Sequence, residues 1–347
     1  MKVLKLGNIQ IQGPVVLAAL SGYSDWAMRS LARSMGAPYT VHEVMIESFV
    51  NNLKDREKTR RHLLVTDDDH PVGAQLMGTV PDEFAGAAIR LVRAGFDVID
   101  INFGCPMKRL RGQCRGGLHL GQPTGAIEIL RRVRDVVPCE IPVTVKMRRG
   151  LDDSTESQDN FFCILNAAFD CGIAAATIHG RTVQQKYIGG SDWNFLKLVR
   201  SHFPNHTLMG SGDLFTAADC IRMLKETGVN GVTAARGAIG NPWIFQQARS
   251  LLDGSSLPAA PDVFQQREMI NDHLRRAQMI YSPELATKQL RKFCIRYALW
   301  HPQSIQVRDA FIGVKDPDQW QAVMNEHYSV NMPGVWPQFD DTSVSEN

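Results

Sequence analysis

In the stretch "DVIDINFGCPMKRLRGQCRGG" (97–117) an apolar, strand-like run ends in a turn that carries Cys105, and a glycine-rich loop with four cations follows: Lys108, Arg109, Arg111 and Arg115. From 101 to 127 the chain has no acid to balance them. Reactive groups recur at the ends of other short apolar runs: Gln75, Asn102 ahead of Cys105, Lys146, His179 with Arg181, Asp213 and Arg236. Singly, each has an ordinary structural explanation, such as a buried thiol or a salt-bridged lysine. Their repeated position at run ends points to a shared site. Lysine in such a place suits Schiff-base chemistry. Two glycine-rich turns, "MGSGDLFTAAD" (209–219) and "AARGAIGNPWIF" (234–245), each open toward a helix whose free N–H groups suit a phosphate.

The elements that must position these groups are short. Eight β-branched or apolar runs bounded by turn residues are read as strands: 15–20, 39–44, 72–78, 97–103, 143–148, 175–180, 206–212 and 231–236. Helical patterns lie between most of them. In "PDEFAGAAIRLVRAG", Phe84, Ala88, Leu91 and Val92 share a face, Pro81 and two acids open the first turn, and Gly95 closes the helix. Strand–helix alternation of this kind predicts an α/β fold, a parallel (β/α)8 TIM barrel over 1–250, with an open doubly wound sheet as the other arrangement. In such a barrel the active site lies where the strands end, which is where the reactive groups fall. Residues 251–262 are rich in Gly, Ser and Pro and are expected to link the barrel to a small helical domain over 263–335, with 336–347 frayed. Within that domain Ala286, Leu290, Phe293, Tyr297 and Trp300 fall within about 80° of arc, and Lys288, Arg291, Lys292 and Arg296 project away from it.

Composition sets limits. The chain has 347 residues, 44% of them apolar, and a net charge of +2, ample for a large core and well short of what marks a nucleic-acid binder from totals alone. No long apolar run or leader pattern is present, so a cytoplasmic protein without a membrane partner is expected. The seven cysteines are scattered and lack any C-x-x-C spacing, which argues for reduced thiols and against a metal site or a disulfide framework. A monomer is the default expectation.

Four segments together carry a family resemblance. "DINFGCPMK" (100–108), "VTVKMRRG" (143–150), "TIHGRTVQQKYIGGSDW" (177–193) and "ARGAIGNPWIF" (235–245) resemble, in order, the motifs of the dihydrouridine synthases, flavin enzymes that reduce uridine in RNA, with the bacterial B-type members nearer than others. "LRKFCIRYALW" (290–300) is a weaker match. The resemblance implies FMN at the barrel mouth, NADPH (or NADH) as reductant, and a uridine of RNA, tRNA foremost, as substrate. Carried over by position, Cys105 is the proton donor. Ala19, Leu20, Ser21, Gln75, Lys146, His179, Ser211, Gly212, Asp213, Ala235 and Arg236 contact FMN, and Asn102 and Arg181 help hold substrate or cofactor. The chain departs from the family pattern at Ala19–Leu20, at Ser211 and at Ala235.

The chemistry fits these groups. A thiol with an ordinary pKa of roughly 8.5 is mostly protonated at neutral pH and can release its proton to a developing enolate. An ammonium such as Lys146 beside the anionic edge of reduced flavin is worth up to about 4 kcal/mol at ~4 Å and an effective dielectric near ~20. A uridine in folded RNA must leave its stack to reach such a pocket, which leaves phosphates at the rim. Lys108, Arg109, Arg111 and Arg115 would clamp them, and Lys288, Arg291, Lys292 and Arg296 would hold the RNA body. Three rivals stand beside this: a dihydroorotate-dehydrogenase-like flavoenzyme, a flavin-free aldolase using Lys146, and a non-catalytic RNA-binding homologue lacking FMN.

Overall fold

A parallel barrel strand is covered on both faces, so it is written as an unbroken apolar run rather than an alternating one. "VGAQLM" and "VIDINF" are of this kind, and all residues of both are buried. The computed structural model describes residues 3–106 and 115–338. It opens with an antiparallel hairpin, β1 (Leu4–Leu6) and β2 (Ile9–Ile11). Eight strands then close into a parallel barrel: β3 (Val15–Leu17), β4 (Thr40–Ile46), β5 (Val72–Met77), β6 (Val98–Phe103), β7 (Val143–Arg148), β8 (Ala175–His179), β9 (Thr207–Ser211) and β10 (Gly231–Ala234). Closure is made by β10 against β3, with Val232 opposite Val15 and Ala234 opposite Leu17. The expected (β/α)8 fold is therefore the observed one, and every expected strand is present.

The hairpin was not expected. Leu4, Leu6 and Ile11 are buried against Val16, Tyr39, Val41, Val98, Ala175 and Met209, so the hairpin caps one end of the barrel. That end holds the strand starts, which leaves the other for chemistry.

Helices cover the outside. Pro81–Arg93 begins with proline in its first turn, carries Asp82 and Glu83 there, and buries Phe84, Ala88 and Leu91. Gly95 follows at φ +97°, a left-handed conformation that glycine adopts without strain. Beyond β10 the helix Trp243–Leu252 runs two residues into the segment expected to be a linker, and Val263–Gln278, Pro283–Tyr297, Ser304–Gly313 and Pro317–His327 follow. The apolar core runs without interruption from the barrel into these helices through Trp243, Ile270, Phe293, Tyr297 and Trp300. Polar ties cross the same seam: the Trp300 indole donates to the Gly240 carbonyl at 3.2 Å, and the Tyr281 hydroxyl donates to Asp25 Oδ2 at 2.9 Å. Among the described residues no helix is long and apolar enough to cross a membrane.

Candidate active site

The strand ends bring the expected groups together. On β5 and β6 they form a buried hydrogen-bonded chain. Asn102 donates from Nδ2 to Gln75 Oε1 at 2.6 Å, Gln75 donates from Nε2 to Asp100 Oδ2 at 2.6 Å, and the Thr144 hydroxyl of β7 donates to Asp100 Oδ1 at 2.6 Å. Burial pushes the Asp100 carboxyl above its ordinary pKa, against the pull of Thr144, Gln75 and Lys146.

Asn102 has a second task. Its Oδ1 accepts from the backbone N–H groups of Gly104 at 2.8 Å and Cys105 at 2.9 Å, which fixes the turn carrying the thiol. From the other side the Cys105 carbonyl accepts from Gly117 N at 2.9 Å, and Arg148 Nε donates to the Gly104 carbonyl at 2.8 Å. Cys105 is thus half-buried on a turn tied at three points. Lys146 and Arg148, on β7, both interact with it electrostatically.

Cations line the wall from β7 to β10. Lys146 Nζ donates to the Ser211 hydroxyl at 3.3 Å, and its pKa is pushed down to about 8 by burial, with Asp100 and Cys105 opposing and Arg148 reinforcing. His179 is held neutral, well below its usual range, by burial and then by Lys146, Arg148, Arg181 and Arg236; its Nδ1 accepts from Arg181 N at 3.1 Å. Arg181 is fully buried and pairs with Asp213 Oδ1 at 2.7 Å, an oxygen that Arg236 also approaches at 3.5 Å. The other Asp213 oxygen accepts from Ser191 N at 2.6 Å. Asp213 sits at φ +56°, a left-handed conformation uncommon outside glycine, and the contacts with Arg181, Arg236 and Ser191 hold it there. The Arg236 guanidinium lies over the rings of Tyr187 and Phe215, at 5.0 and 4.9 Å.

Two glycines set the shape of the anion-facing corner. Gly212 stands at φ +113°, where a Cβ would come within 2.3 Å of the Ser191 hydroxyl, and a Cβ on Gly237 would come within 2.2 Å of the Leu214 carbonyl. Ala235 has φ −113° and ψ −101°, outside the extended and helical regions. Ala19 and Leu20 are partly exposed and Ser21 exposed just after β3, where Leu20 N donates to the Ser24 hydroxyl at 2.8 Å.

The residues present fit a phosphate-bearing flavin. Lys146, Arg148, Arg181 and Arg236 gather around His179, only the last two paired with Asp213, so cations outnumber that carboxylate, and the loops after β9 and β10 meet where any side chain larger than hydrogen on Gly237 would part them.

The expected RNA contacts are placed less uniformly. Lys108, Arg109 and Arg111 lie outside the described residues. Arg115 is buried at 8% exposure instead of standing out from the loop. Lys288 is exposed, but Arg291 Nη1 donates to the Val314 carbonyl at 3.2 Å, and Lys292 donates to the Gly22 carbonyl while lying 4.7 Å over the Tyr23 ring. Arg296 is half-buried, and burial lowers its pKa. Lys292 therefore ties the helical region to the barrel, and Arg291 is bonded within the helical region itself. Residues missed by sequence reasoning include Arg148, Tyr187 and the buried Glu47; only the contacts they make across the fold mark them.

A closed parallel barrel with a thiol, an amine and a cation-rich corner at its mouth defines a barrel enzyme. Comparison with known proteins gives the family. A profile of the dihydrouridine synthase family matches residues 16–332, and the chain belongs to that family. It is 31% identical over 326 residues to a probable tRNA-dihydrouridine synthase of Rickettsia typhi, covering 94% of this chain and 98% of that one. Identity to tRNA-dihydrouridine synthase B of Pasteurella multocida is 30% over 322 residues, covering 91% and 93%. Among solved structures, histamine dehydrogenase from Rhizobium sp. 4-9 shares the fold with a TM-score of 0.55 at 13% identity, over 79% of this chain and 50% of that one.

Proposed function

We propose that the chain reduces uridine to 5,6-dihydrouridine in tRNA, with FMN as cofactor, NADPH or NADH as reductant and Cys105 as proton donor, acting as a cytoplasmic monomer. The observation that carries this is the Cys105 turn: a half-buried thiol tied by Asn102, Gly117 and Arg148 at the strand ends, facing a cationic wall, in a chain of the dihydrouridine synthase family.

When bound, the flavin supplies the hydride. The protein supplies the rest. Ser211, Gly212, Ala235 and Arg236 would hold the phosphate end, with Arg236 fixed by Asp213, which Arg181 also pairs. Gln75, Lys146 and His179 would meet the ring system, His179 as a neutral imidazole. Cys105 gives its proton to the pyrimidine carbon that gains negative charge, and the thiolate left behind is balanced by Lys146 and Arg148. Because this thiolate is an anion between two cations, release of the proton is favoured without a separate base. Arg181 acts here through Asp213 and the Gly189 carbonyl, to which its Nε donates at 2.8 Å, and so positions the corner.

The test is Cys105→Ala in flavin-loaded protein. Retained yellow flavin, retained reduction by NADPH and a loss of dihydrouridine formation by ~100-fold or more would support the acid role. Unchanged turnover refutes it. A colourless protein that binds no flavin refutes the flavoenzyme assignment itself.

A further inference from the structure

A helix of the barrel rim carries an exposed aromatic group that the chemistry above does not use. After β4 the chain enters the helix Glu47–Asn52, which stands at the strand-end side of the barrel, the side of the active site. The helix is firmly seated. Glu47, 2% exposed, accepts at Oε1 from Thr79 N at 2.8 Å just past β5, and Asn51 Nδ2 donates to the Glu83 carbonyl at 2.9 Å. On this seat Phe49 is 41% exposed, and its ring meets His62 edge to face at 5.2 Å and 82°.

Cations flank His62 along the chain, and Arg61 acts on it directly. Between 54 and 62 the sequence has five lysines and arginines against two acids. Lys54, Arg56 and Arg60 are exposed, and the pair Arg60–Asp55 at 3.5 Å is so solvated, with side chains 71% and 83% exposed, that it ties up little of the charge. Arg61 lies 5.1 Å over the Tyr281 ring, which joins the patch to the helical region.

An exposed ring that water solvates poorly, on a segment that also exposes cations, matches the two parts of an unstacked nucleotide: a flat base and its phosphates. We infer that Phe49 with His62, and Lys54, Arg56 and Arg60 beside them, form a second RNA-binding surface on the rim, where a base other than the reacting uridine stacks and its flanking phosphates are held. The inference rests on the RNA substrate proposed above. Charge complementarity favours RNA over an acidic protein, because a carboxylate-bearing partner would gain nothing from Phe49.

The experiment uses full-length, flavin-loaded protein and transcribed tRNA, with affinity followed by anisotropy across a salt series. Phe49→Ala should weaken tRNA binding by about fivefold or more with the salt slope unchanged, and Phe49→Trp should restore it. Arg56→Gln with Arg60→Gln should flatten the slope of log affinity against log salt by roughly 1.4 to 1.8, as expected for two lost phosphate contacts. In both, NADPH reduction of the flavin in the absence of RNA stays at the wild-type rate. Unchanged tRNA affinity and slope in variants of a protein that does bind tRNA overturn the surface alone. Failure of the wild-type protein to bind any RNA overturns the RNA substrate as well. Equal weakening of poly-glutamate binding by Phe49→Ala overturns base stacking in favour of an acidic protein partner.

Discussion

Lys146 should make the flavin-free protein more stable as pH rises. Its ammonium is held at about 8, whereas an unfolded lysine titrates near 10.5. Below pH 8 the group is charged in both states, and the fold carries the full cost of enclosing it. Between the two values the folded chain has released a proton that the unfolded chain keeps, so stability climbs with pH. From about pH 7.5 to 9.5 the gain is about 1.8 kcal/mol, out of a full difference of about 3 kcal/mol. Both figures are upper ones because the ammonium faces the open mouth and solvent there screens part of the cost. Urea unfolding of apoprotein across this range, compared with Lys146→Met, isolates the effect: the lost hydrogen bond to Ser211 displaces the variant's curve but gives it no slope. Wild-type stability minus variant stability should rise by 1 to 2 kcal/mol over the window, a range set by the same linkage. Parallel curves would refute the claim that Lys146 is forced toward its neutral form. The same linkage predicts that binding an anionic ligand above about pH 8 takes up a proton, measurable as a buffer-dependent heat.

Gly237→Ala should part the loops after β9 and β10, since its methyl would meet the Leu214 carbonyl and the Phe215 backbone. A stability loss of about 1–3 kcal/mol is expected, with flavin retention falling more steeply than the melting point, as seen by absorbance after gel filtration. Acid should destabilise the helical region. His273 is buried against Tyr297 and Phe293, and burial with Arg276 and Lys292 holds it near about 3, so below its ordinary 6.5 the unfolded chain gains a proton that the fold refuses. At about pH 5 this amounts to about 2 kcal/mol, and His273→Gln should remove that part of the acid slope in urea titrations.

How much of this is readable in the sequence depends on the range over which each contact acts. The eight barrel strands are readable because burial on both faces turns each into a local apolar run, as in Val98–Phe103. The hairpin at 4–11 escapes because three-residue strands are too short to display a period, and only the barrel end they plug gives them meaning. Helical periodicity rightly sets Lys292 and Arg291 off the face that buries Leu290 and Phe293. It cannot say that Gly22 and Val314, distant in sequence, wait there as acceptors. Arg115 fails for the same reason: a run of cations is read as solvated, and this one is enclosed. At the site, Cys105, Lys146 and Asp213 are visible as reactive types at strand ends. Arg148 and Tyr187 are not, because an arginine bridging the Gly104 and Thr182 carbonyls looks like any other surface arginine until the fold closes.

The register of the barrel gives the mouth a polarity that a list of residues conceals. Gln75 stands opposite Asp100, Asn102 opposite Lys146 and His179 opposite Ser211, so these groups occupy neighbouring levels of one continuous wall. Going round it, β5 and β6 offer amide groups bonded within the chain from Asn102 to Thr144, while β7 and the loops after β8 and β10 offer ammonium and guanidinium groups, of which Arg181 and Arg236 share the Asp213 carboxylate. A planar ligand with a neutral hydrogen-bonding edge on one side and negative charge on the other can satisfy this wall in one orientation only, because reversing it sets an anion against amide oxygens and leaves Lys146 facing a neutral edge. Cys105 sits at the boundary of the two halves, on the turn that follows β6, the strand paired with the one that carries Lys146. In the reaction proposed above, the thiol would meet the ligand where neutral contacts give way to cationic ones, so that the charge left on sulfur faces Lys146 and Arg148 at once.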